Sequence, residues 1–213
     1  MKGVVLLSGG FDSVVAAHKL QSAMEIVPLH CSLQPLTNHD AEQKARLLAK
    51  HLSCKGLYIV RIGEALAHMS TCSDEQYYFI LQKRLFLRIA QHIAYREGCE
   101  YIITGDNLGQ VASQTLSNLG TISYGCTLPI LRPLLTFDKQ EIIDYAKLIG
   151  TYEISKGPEM CDVFGIKHPL TKSKLHKVLE EESKCNEKNI FQAAVETLQY
   201  EIVPKLYSDE QPN

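Results

Sequence analysis

The apolar run Gly3-Val4-Val5-Leu6-Leu7 leads without a break into Ser8-Gly9-Gly10-Phe11-Asp12-Ser13. A β-branched run of this kind reads as a buried strand over Val4–Leu7, and the residues from Asp12 to Gln21 read as a helix. The glycines between them reach backbone angles closed to other residues and let a ligand approach the chain closely. Such a turn brings free backbone N–H groups and a helix N-terminus to one point. That is an anion site, and phosphate is the usual anion. Ser8 and Ser13 add hydroxyl donors. Asp12 would repel a phosphate unless a divalent cation lay between them, so its presence points to Mg2+. The lysine of G-x-x-x-x-G-K-[ST] is missing here, and so is the G-x-G-x-x-G spacing. The plain alternative is a strand–turn–helix junction with Ser and Asp as helix caps.

The alternation continues along the chain. Strands are expected at Glu25–Cys31, Gly56–Ile62, Cys99–Thr104 and Leu128–Leu131. Helices are expected at His39–Leu52, Asp74–Glu97 with Gly98 just past its end, Leu108–Leu119, and Asp138–Ile149 closed by Gly150. Apolar strands alternating with helices predict a doubly wound parallel sheet covered on both faces, with ligands beyond the carboxyl ends of its strands. Two more helices, about Lys172–Glu182 and Asn189–Leu198, precede a polar, proline-containing tail. Residues 1–170 therefore read as one nucleotide-binding domain and residues 171–213 as a C-terminal helical extension packed on it. Hydrophobic residues make up 45% and charged residues 22% of the 213, and the formal charge is −2, which argues against a strongly basic nucleic-acid binder. No run approaches the roughly 20 apolar residues of a membrane span. The N-terminus lacks the pattern of a signal peptide, so a cytoplasmic protein without membrane partners is expected. The seven cysteines are scattered and include no C-x-x-C, so neither a disulfide framework nor a structural zinc site is expected.

A second polar block, Thr104-Gly105-Asp106-Asn107-Leu108-Gly109-Gln110-Val111-Ala112-Ser113-Gln114-Thr115, stands at a strand end. Gly105 would let a nucleotide approach the backbone. Asp106 could hold a ribose hydroxyl or a metal, and Gln110 a base or a phosphate. Asp106 or Asn107 can also cap the helix that follows. Lys139 opens a helix, a poor place for a cation, which favours a task on phosphate. Arg132 is a second cationic candidate, with a plain pairing role as its alternative. Lys50, Lys83, Arg84, Arg88 and Arg96 read as a solvated helix face.

The hexapeptide SGGFDS resembles the pyrophosphate loop (PP-loop) of ATP pyrophosphatases. SGGFDS, TGDNLGQVASQTLSNL, LRPLLTFDKQEII and Pro158-Glu159-Met160-Cys161, in this order, resemble the catalytic domain of the tRNA 4-thiouridine synthetase family over roughly residues 2–175. The resemblance implies an adenine-nucleotide α-hydrolase fold. It implies an enzyme that uses ATP and Mg2+ to adenylate a uridine carbonyl in tRNA, after which sulfur carried as a persulfide displaces AMP. Ser8, Gly9, Gly10, Phe11, Asp12 and Ser13 then fall on the pyrophosphate loop, with Asp12 as the metal ligand. Lys139 neutralises phosphate charge, Arg132 adds a second cation, and Thr104, Gly105, Asp106 and Gln110 lie on the nucleotide side. By position, Leu29 and His30 at the exit of the second strand would meet adenine. Cys161 would form a disulfide during turnover or carry or resolve the persulfide, with Lys156 and Lys167 near in sequence to favour its thiolate. The family's N-terminal tRNA-binding domain and C-terminal rhodanese-like domain have no counterpart in these residues. The expected partners are thus tRNA, held through another domain or protein, a persulfide sulfur donor, and a second copy in a homodimer. The alternatives are a nucleotide-binding subunit of a tRNA-modifying complex and a related enzyme with a small-molecule acceptor.

Overall fold

The computed structural model describes residues 1–109, 114–157, 164 and 168–204. Strand β1 (Lys2–Leu6) passes through the loop into α1 (Phe11–Leu20), then β2 (Glu25–Ser32), α2 (Asp40–His51) and β3 (Gly56–Arg61). The chain continues through α3 (Gly63–Cys72), a 3-10 turn at Glu75–Tyr77, α4 (Tyr78–Glu97) and β4 (Tyr101–Ile103). Then come α5 (Leu116–Ser123), β5 (Ile130–Leu131), α6 (Lys139–Leu148), α7 (Tyr152–Ser155), α8 (Leu175–Lys184), α9 (Glu187–Glu196) and β6 (Gln199–Ile202). The six strands form one sheet in the order β5-β4-β1-β2-β3-β6. The pairs β5·β4, β4·β1, β1·β2 and β2·β3 are parallel.

Two apolar layers explain the sandwich. Successive strand residues point to opposite faces. Val4, Tyr58, Val60 and Ile102 pack with Leu85, Ile89 and Ile93 of α4, while Val5, Leu57, Ile59 and Ile103 pack with Val14, Val15, Leu48 and Ile142 of α1, α2 and α6. The strand order reverses between β1 and β4. The carboxyl ends of these strands flank the crevice where open α/β sheets bind ligands. Helix ends follow the sequence signals. Gly98 closes α4 in the left-handed region at φ 66°, and Asp138 with Glu141 forms a capping box on α6.

Several elements differ from the expectation. The helix expected from Leu108 begins only at Leu116, where the Thr115 side chain accepts the Asn118 N–H; residues 110–113 lie outside the described residues. Helices α3 and α7 carry no strong apolar period and were not foreseen. The polar tail contains β6, which runs antiparallel to β3 and turns the expected all-parallel sheet into a mixed one. Arg46 on α2 holds this strand through two bonds to Glu201, at 2.7 and 2.8 Å, and Tyr200 lies against Tyr58 with ring centroids 4.7 Å apart. Although the scattered cysteines suggest no disulfide framework, Cys72 and Cys185 form a disulfide across 113 residues, joining the end of α3 to the end of α8. Nor is Arg84 on a solvated face: it is 4% exposed, bonded to Glu182 at 3.0 Å, and Arg88 pairs with Glu182 and Glu187. Among the described residues, no helix is long and apolar enough to cross a membrane.

Candidate active site

The Ser8–Ser13 loop is built by its own hydroxyls. Gly9 sits at φ 95°, in the region that favours glycine, and Gly10 is the N-cap of α1 without a side-chain cap. Serine capping, the plain alternative, is therefore not what opens the helix. Ser13 Oγ instead accepts the Ser8 N–H at 3.1 Å and donates to the Gly10 carbonyl at 3.1 Å, while Ser8 Oγ accepts the Gly10 N–H at 3.2 Å. Ser13 is buried, so its hydroxyl braces the loop from beneath. Asp12 stands in the first turn of α1, and Phe11 stacks on Tyr152 at 5.4 Å between centroids.

The loop opens on a cavity of about 340 Å³ at the carboxyl ends of β1 and β2, within the size range of small-molecule sites. Ser8, Gly9, Gly10, Leu29 and His30 line it, as does Cys31. Desolvation pushes the Cys31 thiol far up, which makes it an inert wall residue. His30 is 2% exposed and its Nδ1 lies 2.8 Å from the Leu7 carbonyl. A carbonyl only accepts, so Nδ1 carries the proton and Nε2 is left as an acceptor. No hydrogen-bond partner reaches Nε2 among the described residues.

Burial holds the His30 pKa below the ordinary histidine value, against the opposing pull of the Leu7 hydrogen bond and of Glu42; Arg46 adds to the lowering. Above about pH 6.5 the ring is neutral folded and unfolded, and contributes no pH dependence. Below it the unfolded chain takes up a proton that the folded chain refuses, so stability falls with pH. The melting temperature is expected to drop between pH 7 and 5, less steeply in His30→Asn. His18 is also lowered, chiefly by burial, and adds to the same limb in both proteins. Equal slopes in the two proteins would remove His30 from this account.

Beside the loop lies the second polar block. A Cβ on Gly105 would stand 2.7 Å from the carbonyl carbon of Asp12 and 2.8 Å from the Ser13 nitrogen. The bare Cα thus makes room for the start of α1. Asp106 is held by the protein's own groups. Its carboxylate accepts from Lys83 at 2.7 Å, Arg132 at 3.1 Å and Thr104 Oγ1 at 2.8 Å, with Asp106 itself buried. Burial pushes its pKa up, but Lys83, Thr104 and Arg132 outweigh this and hold it below the usual carboxylate range. Arg132 takes the pairing role, donating also to Ser123 Oγ at 2.8 Å. Lys139 is the first residue of α6, exposed, and not part of the cavity wall. Gln110 and Cys161 lie outside the described residues.

The sequence reading missed Lys44, Ser155 and Lys156, which also line the cavity. Nothing local marks them, because they reach it only through the way α2 and α7 are laid over the loop. The residues present suit a magnesium nucleotide. Mg2+ binds one or two carboxylates together with substrate phosphates. Asp12 stands at the loop and Asp40 lines the cavity, while no cluster of three or more His, Cys, Asp or Glu side chains occurs among the described residues.

Known proteins resemble this chain over most of its length. Residues 1–186 match the family model described as thiamine biosynthesis protein (ThiI). A probable tRNA sulfurtransferase of Thermus thermophilus is 43% identical over 188 residues, covering 85% of this chain and 46% of the relative. One from Alkaliphilus oremlandii is 38% identical over 209 residues, covering 95% and 53%. A crystal structure of a 4-thiouridine synthetase–RNA complex with bound ATP superposes with a TM-score of 0.89 at 35% identity, covering 95% of this chain and 55% of that one. The chain spans about half the length of the curated relatives it matches.

Proposed function

Because the chain belongs to the thiamine biosynthesis protein (ThiI) family, we propose that it uses ATP to activate a tRNA uridine for replacement of a carbonyl oxygen by sulfur, as in 4-thiouridine formation. The observation that carries this reading is the glycine-turned Ser8–Ser13 loop opening on a cavity of about 340 Å³. Its glycine-turned backbone and the N-terminus of α1 suit phosphate oxygens. Leu29 and His30, within the carboxyl-terminal half of β2, suit the base end of the nucleotide.

In the proposed reaction the uridine carbonyl oxygen attacks the α-phosphorus of ATP. The bond to the bridging oxygen breaks, and pyrophosphate leaves with its electron pair. The terminal sulfur of a donor persulfide then attacks the activated carbon, and AMP leaves. Attack by the Cys161 thiolate on the donor's own sulfur releases the thiouridine and leaves a donor–Cys161 disulfide, which a cellular dithiol reduces. Asp12 would hold Mg2+, which when bound neutralises charge on the phosphates. Lys139 would add a cation at the departing pyrophosphate. With a formal charge of −2 the chain supplies little of the electrostatic attraction RNA needs, so tRNA would be held with a separate RNA-binding module. The proposed place of action is the cytoplasm, where tRNA and persulfide donors meet.

Pyrophosphate release from MgATP, with and without bulk tRNA, tests the reading. Release by the wild type should rise with tRNA and fall by about 100-fold or more in Asp12→Ala. ATP bound with no pyrophosphate formed, in the presence of tRNA and a persulfide donor, would instead make this a nucleotide-binding subunit.

A further inference from the structure

Three buried side-chain atoms in the described residues have no hydrogen-bond partner: His30 Nε2, Glu42 Oε1 and Ser155 Oγ. Glu42 lies among the guanidinium groups of Arg46 and Arg61, which compensate its charge. The other two residues both line the cavity beside the Ser8–Ser13 loop. A buried polar atom without a partner is costly, and such atoms are ordinarily satisfied. Two such atoms, a ring nitrogen and a hydroxyl, on residues of one wall point to a ligand that supplies what the protein does not.

Ser155 is 1% exposed and ends α7. The next residue, Lys156, offers its carbonyl to Lys44 Nζ at 2.9 Å. Lys44 is on α2, and its Cβ lies 3.3 Å from the point where a Cβ on Gly9 would stand, so its stem runs along the phosphate loop. The Lys156 ammonium pairs with Glu153, while Lys44 has no carboxylate partner among the described residues. A carbonyl leaves the Lys44 charge unmatched, and an ammonium with three donors can keep that bond and accept an anion as well.

We propose that Lys44 and Ser155 form a pyrophosphate-binding end of the cavity, with the Lys44 ammonium and the Ser155 hydroxyl donating to the β- and γ-phosphate oxygens of the nucleotide. The inference rests on the reading of this cavity as an ATP site and adds two residues from α2 and α7 to the loop. Held there, the leaving group gains charge compensation as the α–β bond breaks.

Calorimetric titration with α,β-methylene-ATP, AMP and inorganic pyrophosphate tests it. Lys44→Ala should weaken the ATP analogue about 10- to 100-fold and Ser155→Ala about tenfold, with AMP changed less than about twofold. Lys44→Arg should recover most of the loss. Thermal melts check that each variant is folded. Variants that bind the ATP analogue as the wild type does, or lose it and AMP equally, overturn the proposal. Pyrophosphate bound by the wild type and lost in Lys44→Ala, with neither nucleotide bound, would uphold the anion site and remove the ATP reading instead. A wild type that binds none of the three overturns both.

Discussion

Asp106→Ala should lower the melting temperature by about 10 °C. The carboxylate lies between two cations, 2.7 Å from Lys83 and 3.1 Å from Arg132, with side-chain exposures of 10%, 24% and 15% for the three residues. Removing one partner of a buried pair leaves charge without compensation and costs about 3–5 kcal/mol, and each kcal/mol is about 2–4 °C in a domain of this size. Asp106 also ties α4, through Lys83, to the segment after β5, through Arg132, so both would loosen beside the loop. Asp106→Asn, which keeps the shape and one acceptor, should fall between. The carboxyl is held below its ordinary value in the folded protein. Its contribution is thus complete above about pH 4 and lost as pH falls through the folded value, and the variant should show a shallower acid limb. A shift under about 2 °C would mean that solvent screens the cluster and that it is a surface network.

Gly105→Ala should weaken nucleotide binding at least about tenfold and destabilise the fold by about 1–3 kcal/mol. The new methyl group would meet the Asp12 carbonyl carbon at 2.7 Å and its oxygen at 2.8 Å. These are backbone atoms at the start of α1, which cannot rotate aside as a flexible side chain would. Relief requires the strand end and the loop to separate, and the loop's N–H groups move with it. Gly120 provides the control: it lies within α5 with no atom inside 4 Å of a built Cβ. Gly120→Ala should leave ATP binding unchanged and be neutral or stabilising by up to about 1 kcal/mol. Equal behaviour of the two variants in melts and in ATP titration would show that the loop tolerates displacement, and the contact would then carry no functional weight.

The elements around the loop were legible because their signals are local. A β-branched run reads as β1, paired glycines as a turn, and the apolar period of α4 ends at Gly98, which adopts the left-handed angle that closes the helix. The candidate site was legible only where residues adjacent in sequence act together, as in Ser8–Ser13 or at Leu29 and His30. Asp106 shows where this stops. Read along the chain it is a polar residue at a strand end, open to a ribose or a metal. Its partners are 23 and 26 residues away, and β4 must pair with β5 and lie under α4 before they meet. Gly105 was recognised as a close-approach glycine, yet what approaches it is α1, from the other side of that strand pair.

The amino-acid sequence by itself determined the layered sheet, the glycine turn between β1 and α1 and the family, because hydrophobic period, turn chemistry and motif order are written in neighbouring residues. The tertiary structure alone decided the antiparallel β6, the Cys72–Cys185 bond, the pairing of Asp106 with Lys83 and Arg132, and the arrival of Lys44 and Ser155 at one cavity. Each of these is a contact between distant parts of the chain, and its partner is chosen by sheet order and helix placement, which no single segment encodes.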